Sequence, residues 1–160
     1  MSDRVFVPHE SVALALSAAE VAGALADSGA EVRRNGSRGL LWAEPMIEIE
    51  RDGRRTAYGN VSPADTDRLD DRELGTVDDL LAGQTRVIFE HCGDYEPTSL
   101  GAYRAHGGFE TPLPGPQSII DELKTAGLRG YGGAGFPTGT KWQAAADTDA
   151  DQKYVVANAD

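Results

Sequence analysis

The stretch Gly127-Leu-Arg-Gly-Tyr-Gly-Gly-Ala-Gly-Phe-Pro-Thr-Gly-Thr-Lys-Trp142 is the most informative part of this 160-residue chain. It holds six glycines, one proline, one lysine and three aromatic residues. Glycines at this density let a backbone approach a flat or phosphorylated ligand, because no Cβ atom stands between them. The apolar residues 154–156 then predict a strand that leads to Asn158 and Asp160, whose side chains offer directional hydrogen bonds.

Two interpretations of the glycine-rich stretch are open, a ligand-binding loop and a flexible surface linker. The preceding residues 119–125 predict a helix that ends at Gly127. A Rossmann fingerprint needs a strand directly before its glycines, so this stretch does not fit that motif.

The two segments resemble the flavin loop of the NADH-oxidising flavoprotein family. That family comprises the NADH-binding subunit of complex I, the diaphorase subunit of NAD-reducing hydrogenases and the β subunit of NAD-dependent formate dehydrogenases. Its pattern reads roughly GLRGRGGAGFPTGxKW and then KYVVCNADE. Here Tyr131 replaces an arginine and Ala157 replaces a cysteine. The resemblance implies FMN and NAD as cofactors.

The resemblance also implies which residues bind these cofactors. The loop glycines leave room for stacked rings, Phe136 offers a ring face, and Lys141 offers a positive charge. No catalytic side chain and no metal ligand is assigned on this chain. The implied cofactor-binding residues are Gly130, Gly132, Gly133, Gly135, Phe136, Lys141, Asn158 and Asp160.

The N-terminal part shows a β-α-β-β-α pattern. Asp52-Gly53 is a hairpin signal, and Ser62-Pro63 is a helix-start signal. The order resembles a thioredoxin-type fold, in which Pro45 would follow a cis peptide bond. The predicted elements are strands over 4–8, 30–34, 46–50 and 54–58, and helices over 11–27 and 62–81.

Thioredoxin-like ferredoxins carry a C-x3-C pair shortly before an Ala-Pro. Aligning the prolines places Ser37 and Leu41 at the two thiolate positions, and neither residue can ligate iron as a thiolate does. The resemblance therefore implies a thioredoxin-like domain without a cluster. An unrelated small α/β unit is the alternative.

The fold class that follows is α/β, with a cluster-less thioredoxin-like N-terminal domain followed by the start of an α/β FMN-binding domain. We expect the first domain over 1–83, a connecting region with a short strand at 86–89 over 84–116, and the FMN/NADH-binding start over 117–160. The family continues with the rest of the pocket and a domain for a 4Fe–4S cluster. We therefore expect a truncated piece of a longer subunit, inactive by itself.

Composition excludes several classes of protein. The net charge of −11 argues against nucleic acid or an anionic membrane as partner. No apolar stretch is long enough to predict a membrane span, and the N-terminal residues show no secretory signal. The single Cys92 cannot form an internal disulfide, so we expect a cytoplasmic protein. The adjacent His91 is an unfavourable partner for a nucleophilic cysteine.

Two functions are consistent with these observations. The first is part of an NAD-dependent oxidoreductase subunit that transfers hydride between NAD(H) and FMN, coupled to iron–sulfur electron transfer. Within the family, the resemblance favours a formate dehydrogenase complex, with an iron–sulfur subunit and a catalytic metal subunit as partners. The second is a non-catalytic module that docks subunits of such a complex.

Overall fold

The structure is a computed structural model that describes residues 4–156 of the chain. Its backbone divides into two compact units, Met1–Gly108 and Phe109–Asp160, here called unit 1 and unit 2. The two units differ in secondary structure, since unit 1 contains a five-stranded sheet and the described part of unit 2 contains two helices and a loop.

Unit 1 begins with two parallel strands joined by helical turns. The helix predicted for 11–27 is interrupted at Ser17, whose φ is 71°. A residue in the left-handed region cannot continue a right-handed helix, so a second helix begins after it. The elements are β1 (Arg4–Pro8), α1 (Ser11–Ala15), α2 (Ala18–Asp27) and β2 (Glu31–Asn35).

A hairpin forms the middle of the sheet. β3 (Ile47–Arg51) and β4 (Arg54–Tyr58) pair antiparallel, joined by Asp52 and Gly53 with φ values of 51° and 76°. Positive φ at both positions is what a two-residue hairpin turn of this hand requires, which confirms the turn expected at Asp52-Gly53.

The helix predicted for 62–81 is wrong over much of its length. The chain forms two short 3₁₀ turns, then β5 (Glu73–Thr76), and only then α3 (Val77–Leu81). Pairing with β4 decides this outcome, because Ala57 faces Gly75 across the two strands and Gly75 has a φ of 103°. Of the acidic residues that favoured a helix in the sequence, Asp65, Asp70 and Asp71 lie in the 3₁₀ turns and Glu73 begins β5.

The sheet has the strand order β2-β1-β3-β4-β5, with β1 and β2 parallel and the other pairs antiparallel. The peptide bond between Glu44 and Pro45 is cis and precedes β3, which is central in the sheet. This arrangement confirms the prediction of an α/β fold with a thioredoxin-like first domain.

The two faces of the sheet have different roles. On one face, Val5, Val7, Ile47 and Ile49 pack against α1 and α2, including Val21. Because side chains alternate along a strand, Glu48 lies on the opposite face from Ile47 and Ile49. That face carries buried charge, with Glu48 bonded to Arg38 and Arg55.

Residues 84–108 form the last part of unit 1 and add no strand to its sheet. The strand predicted for 86–89 is wrong, since these residues form turns. Their apolar side chains are largely exposed, so no burial rewards an extended conformation there. One helix follows, α4 (Leu100–Ala105).

Unit 2 contains α5 (Pro116–Ala126) and α6 (Thr138–Asp147), joined by the glycine-rich loop. The helix predicted before the loop is confirmed. The strand predicted for 154–156 is not formed in the structure, and these residues are exposed. A strand needs a neighbour for its backbone hydrogen bonds, and no described residue of unit 2 supplies one.

Candidate functional site

The glycine-rich loop starts from a well-defined helix end. Gly127 has a φ of 64°, which a glycine adopts without the steric penalty of a Cβ. Its N–H donates to the Lys124 carbonyl, and the Leu128 N–H donates to the Leu123 carbonyl at 3.3 Å. This pair of bonds is the Schellman motif, which ends α5 and sets the direction of the chain that enters the loop.

Backbone hydrogen bonds close the loop at its base. Arg129 and Pro137 face each other as an antiparallel bridge. The Gly130 N–H donates to the Phe136 carbonyl at 2.9 Å, and the Thr138 N–H donates to the Leu128 carbonyl at the same distance. The loop residues 130–136 are therefore closed at their base by backbone hydrogen bonds.

A side chain spans the loop as well. The guanidinium of Arg129 donates from Nη1 to the Gly135 carbonyl at 3.0 Å. This bond connects Gly135, in the second half of the loop, to Arg129, near the start of the loop. Sequence analysis assigned no role to Arg129. Its position next to Gly130 was the available signal that its side chain could reach across the loop.

The loop glycines serve two different purposes. Gly133 and Gly135 have φ values of 103° and 59°, so the turn itself favours glycine at both positions. A Cβ on Gly132, Gly133 or Gly135 would meet no atom within 4 Å, so their faces are open. An open glycine face is a surface that a flat ring system can approach closely, and it therefore fits a flavin or nicotinamide ring.

The loop leads directly into the N-terminus of α6. The first backbone N–H groups of a helix lack intrahelical partners and favour an anion. Lys141 lies in the first turn of this ten-residue helix and is exposed. The Thr138 N–H already donates to the Leu128 carbonyl, so a phosphate group can be held here by the following N–H groups of the first turn together with the lysine charge.

Close packing of α6 on α5 fixes where that helix begins. A Cβ on Gly139 would lie 2.9 Å from the Lys124 backbone nitrogen and 3.2 Å from the Ile120 carbonyl oxygen. Gly139 therefore allows the two helices to approach, and sequence reasoning did not assign it a role. Gln117 and Gln143 also bond between the helices, with the Gln117 amide nitrogen 3.0 Å from the Gln143 oxygen.

The predicted site residues are brought together only in part. Gly130 and Phe136 meet at the base of the loop, the other three glycines form its turn, and Lys141 follows on α6. The Phe136 side chain is more than half exposed, so its ring is accessible. Asn158 and Asp160 lie outside the described residues, and their place in the site stays a prediction.

A cleft of about 270 Å³ lies beside the loop, between the end of α5 and the start of α6. Leu123, Arg129 and Thr140 are among the residues that line it. The predicted glycines 130, 132, 133 and 135 do not line this cleft, so the open faces of Gly132, Gly133 and Gly135 are a separate surface of unit 2.

In unit 1, the positions aligned with cluster thiolates have other roles. The Ser37 hydroxyl donates to the Glu44 carboxylate at 2.6 Å and accepts from the Gly39 N–H. Leu41 lies in a 3₁₀ turn and is exposed. Burial raises the pKa of Glu44, while hydrogen bonds from Ser37 and the Met46 N–H oppose that rise.

The described residues lack two kinds of feature. Within residues 4–156, no cluster of three or more His, Cys, Asp or Glu side chains is arranged to hold a metal ion. Over the same residues, no helix has the length and apolar character needed to cross a membrane.

Comparison with known proteins gives one family match, which lies within unit 2. The family model described as the Nuo51 FMN-binding domain matches residues 123–160, which include the whole loop. The chain is 46% identical over 81 residues to the NADP-reducing hydrogenase subunit HndC of Solidesulfovibrio fructosivorans, covering 48% of this chain and 16% of that protein.

Two further relatives give similar values. An NADH-quinone oxidoreductase subunit from Streptomyces coelicolor is 45% identical over 69 residues, covering 41% of this chain and 15% of that protein. The NAD-reducing hydrogenase HoxS subunit alpha of Cupriavidus necator is 49% identical over 45 residues, covering 28% and 8%. The chain thus spans less than a fifth of the length of each of these relatives.

Among solved structures, a thioredoxin-like 2Fe–2S ferredoxin from Aquifex aeolicus is similar, with a TM-score of 0.36 and 17% identity. The similarity covers 62% of this chain and 96% of that one.

The family match and the relatives agree with the resemblance found in the loop itself. They support FMN and NAD as the cofactors of this type of sequence. The resemblance of this chain to the NADH-oxidising flavoprotein family is therefore confirmed, and its residues 123–160 match the model described as the Nuo51 FMN-binding domain.

Proposed function

We propose that this chain is part of an NAD-dependent flavoprotein oxidoreductase subunit, in which the glycine-rich loop and the start of α6 bind FMN and NAD(H). The observation that supports this best is the closed loop with open glycine faces, placed directly before a helix N-terminus that carries Lys141. This combination offers a surface for a ring and a site for a phosphate within one short segment.

The residues of the loop have distinct roles in this proposal. Gly132, Gly133 and Gly135 admit the ring system, since a side chain there would occupy the ligand's place. Arg129 holds the Gly135 carbonyl and so keeps the open face in one conformation. Phe136 offers its exposed ring for stacking.

Lys141 and the first turn of α6 hold negative charge. The lysine ammonium is a point charge on a flexible stem, and its position beside the helix N-terminus adds to the effect of the backbone N–H groups. Asn158 and Asp160 are proposed to complete the hydrogen bonds to FMN, as the resemblance implies. When bound, FMN supplies the chemistry that accepts a hydride from NADH and releases electrons singly to iron–sulfur clusters.

More specifically, we propose that this subunit belongs to a formate dehydrogenase complex in the cytoplasm. It is supported by the thioredoxin-like unit 1 ahead of the flavin sequence and by the resemblance of the sequence from Asn35 to Gly39, which leads to Glu44-Pro45. The proposed partners are an iron–sulfur subunit and a subunit with the catalytic metal. The 4Fe–4S cluster of the family is not placed on any residue between 4 and 156.

The test uses the protein purified from its source with any subunits that accompany it. We expect visible flavin absorbance that bleaches when NADH is added without oxygen. Formate, rather than hydrogen, is expected to reduce NAD in the same preparation. A preparation that contains no flavin, takes up no added FMN and leaves NADH unoxidised would contradict the oxidoreductase proposal.

Variants separate the loop from general folding effects. Gly132→Val places a branched side chain on the open face and is expected to abolish FMN retention, and Lys141→Gln is expected to weaken FMN binding about tenfold. Gly23→Val is the matched control, because Gly23 is in α2 and a Cβ there also meets nothing within 4 Å. Equal FMN content in Gly132→Val and Gly23→Val would exclude the loop as the binding surface.

A further inference from the structure

Unit 1 contains a groove of about 770 Å³ that the proposed flavin chemistry does not use. It lies where the chain from 87 to 103 runs past Gly36 and Ser37, and we call it the unit 1 groove. The residues that matter for its chemistry are Glu10, Val87, Ile88, Glu90 and Leu100.

Hydrogen bonds hold the floor of the groove to β2 and the residues that follow it. The Gly36 N–H donates to the Tyr95 carbonyl at 3.0 Å, and the Asn35 amide donates to the Gly93 carbonyl at 2.9 Å. Arg38 donates to the Cys92 carbonyl from the buried face of the sheet. Because these bonds already hold the 92–95 segment, a ligand would not have to order the floor in order to bind.

The walls of the groove carry exposed apolar side chains. Val87 is 76% exposed and Ile88 is 89% exposed, and Leu100 is about half exposed. Neighbouring apolar side chains that remain in water beside a concavity mark a surface that another molecule covers. Val87 and Ile88 protrude too far to be the walls of a closed small-molecule pocket, in which most of the ligand is buried.

The charge of the groove has one sign. Glu10 and Glu90 line it, and no lysine or arginine does so among residues 4–156. Three arginines adjoin lining residues along the chain: Arg38 bonds to Glu48 and Asp94, Arg86 donates to the backbone carbonyls of Arg38 and Phe89, and Arg104 is exposed outside the lining. An occupant that fits therefore combines apolar side chains with positive charge.

We propose that the unit 1 groove binds a segment of a partner polypeptide in which a large apolar residue lies beside lysine or arginine. The apolar residue packs against Val87, Ile88 and Leu100, and the basic residues face Glu10 and Glu90. A second copy of this chain is a poorer fit, because each copy has a net charge of −11 and presents the same acidic groove. The same charge disfavours anionic lipid.

The test selects short random-sequence peptides for binding to the full chain, without FMN or NADH. The selected peptides are then titrated against the chain and two double variants. One is Ile88→Ser with Glu90→Gln in the groove. The other is Glu110→Gln with Leu113→Ser, a matched control with one exposed carboxylate and one exposed leucine of unit 2. Circular dichroism verifies that both variants are folded.

We expect the selected peptides to be enriched in lysine and arginine next to leucine or phenylalanine. Their dissociation constants should increase about tenfold in the groove variant and stay unchanged in the control. Equal binding to both variants, or selected peptides without basic residues, would overturn the proposal. The proposal would also be overturned if the chain bound anionic phosphatidylglycerol vesicles, or associated with itself, and only the groove variant lost that interaction.

This inference does not depend on the flavin loop, because every residue of the groove belongs to unit 1. Loss of FMN binding in Gly132→Val with normal peptide binding would leave it intact. Normal FMN content without peptide binding would refute the proposal for the groove and leave the proposal for the flavin site standing.

Discussion

The buried ion pairs on the second face of the sheet allow a quantitative prediction. Arg38 donates to both carboxylate oxygens of Glu48, at 2.7 and 3.1 Å, and to Asp94 at 2.8 Å. The side chains of Arg38 and Glu48 are only 8% and 1% exposed. Although burial opposes its charge, hydrogen bonds and ion pairing with Glu48 and Asp94 raise the pKa of Arg38.

Replacing Arg38 with methionine would leave a buried carboxylate short of partners. Removing one member of a buried ion pair destabilises a protein by about 3–5 kcal/mol. Arg55 still donates to Glu48 at 3.0 Å, so we expect the lower end, about 3 kcal/mol. The bond from Arg38 to the Cys92 carbonyl is lost as well, which should loosen the 92–95 segment.

The assay is urea unfolding in a Trp142→Phe background, so that Trp42 fluorescence reports unit 1 alone. Arg33→Met is the matched control. Arg33 and Glu31 pair at 2.6 Å, but their side chains are 60% and 38% exposed, so this loss should cost below about 0.5 kcal/mol. If Arg38→Met costs no more than Arg33→Met, the argument from burial is wrong.

A double variant and an acid titration sharpen the test. Arg38→Met with Glu48→Gln should be more stable than Arg38→Met alone, because the buried carboxylate that lost Arg38 is removed and Arg55 keeps Glu50 as a partner at 3.4 Å. Despite the opposing effect of burial, Arg38 lowers the pKa of Asp94. That pairing contributes stability above the ordinary aspartate pKa, and the contribution is lost as the pH falls through the lowered value. Arg38→Met should therefore weaken this acid dependence.

Three further predictions concern local geometry. In a Trp42→Phe background, Gly139→Ala should destabilise unit 2 by about 1–3 kcal/mol in urea unfolding read from Trp142 fluorescence, because the new Cβ would lie 2.9 Å from a backbone nitrogen of α5. Stabilisation, as helix propensity alone predicts, would contradict the packing. Gly133→Ala, at a φ of 103°, should reduce hydrogen-exchange protection of the loop, whereas Gly132→Ala should not, and equal protection would refute the conformational argument. Hydrogen bonds from Ser62 and Arg72 lower the pKa of Asp65 to about 2. In an NMR titration of its carboxyl carbon, Ser62→Ala should raise that midpoint, and stability from this cap should be lost as the pH falls through about 2.

Local patterns were enough to predict part of the fold. β1 and the hairpin of β3 and β4 were predicted correctly because their alternation and the Asp52-Gly53 turn are encoded by neighbouring residues. The same holds for α5, which ends at a glycine. In the loop, glycine spacing predicted an open surface, and the glycine faces are open.

Other features depend on residues far apart in the chain. β5 forms because it pairs with β4, and no local pattern in an acidic stretch predicts that pairing. Ser17 interrupts a sequence that favours helix throughout. The strand predicted at 86–89 fails because those side chains stay exposed, and burial is decided by tertiary packing rather than by composition.

The sequence by itself determined the family resemblance, the cofactor chemistry that it implies and the residues of the glycine loop, because these depend on residue types at short spacing. Tertiary structure decided how the loop is held and which surfaces stay open. Arg129 reaching the Gly135 carbonyl, Gly139 packed on α5, and Arg38 between Glu48 and Asp94 all require residues brought together by folding. Contacts of this kind carry no periodic signal along the chain, since each depends on where the backbone places both partners.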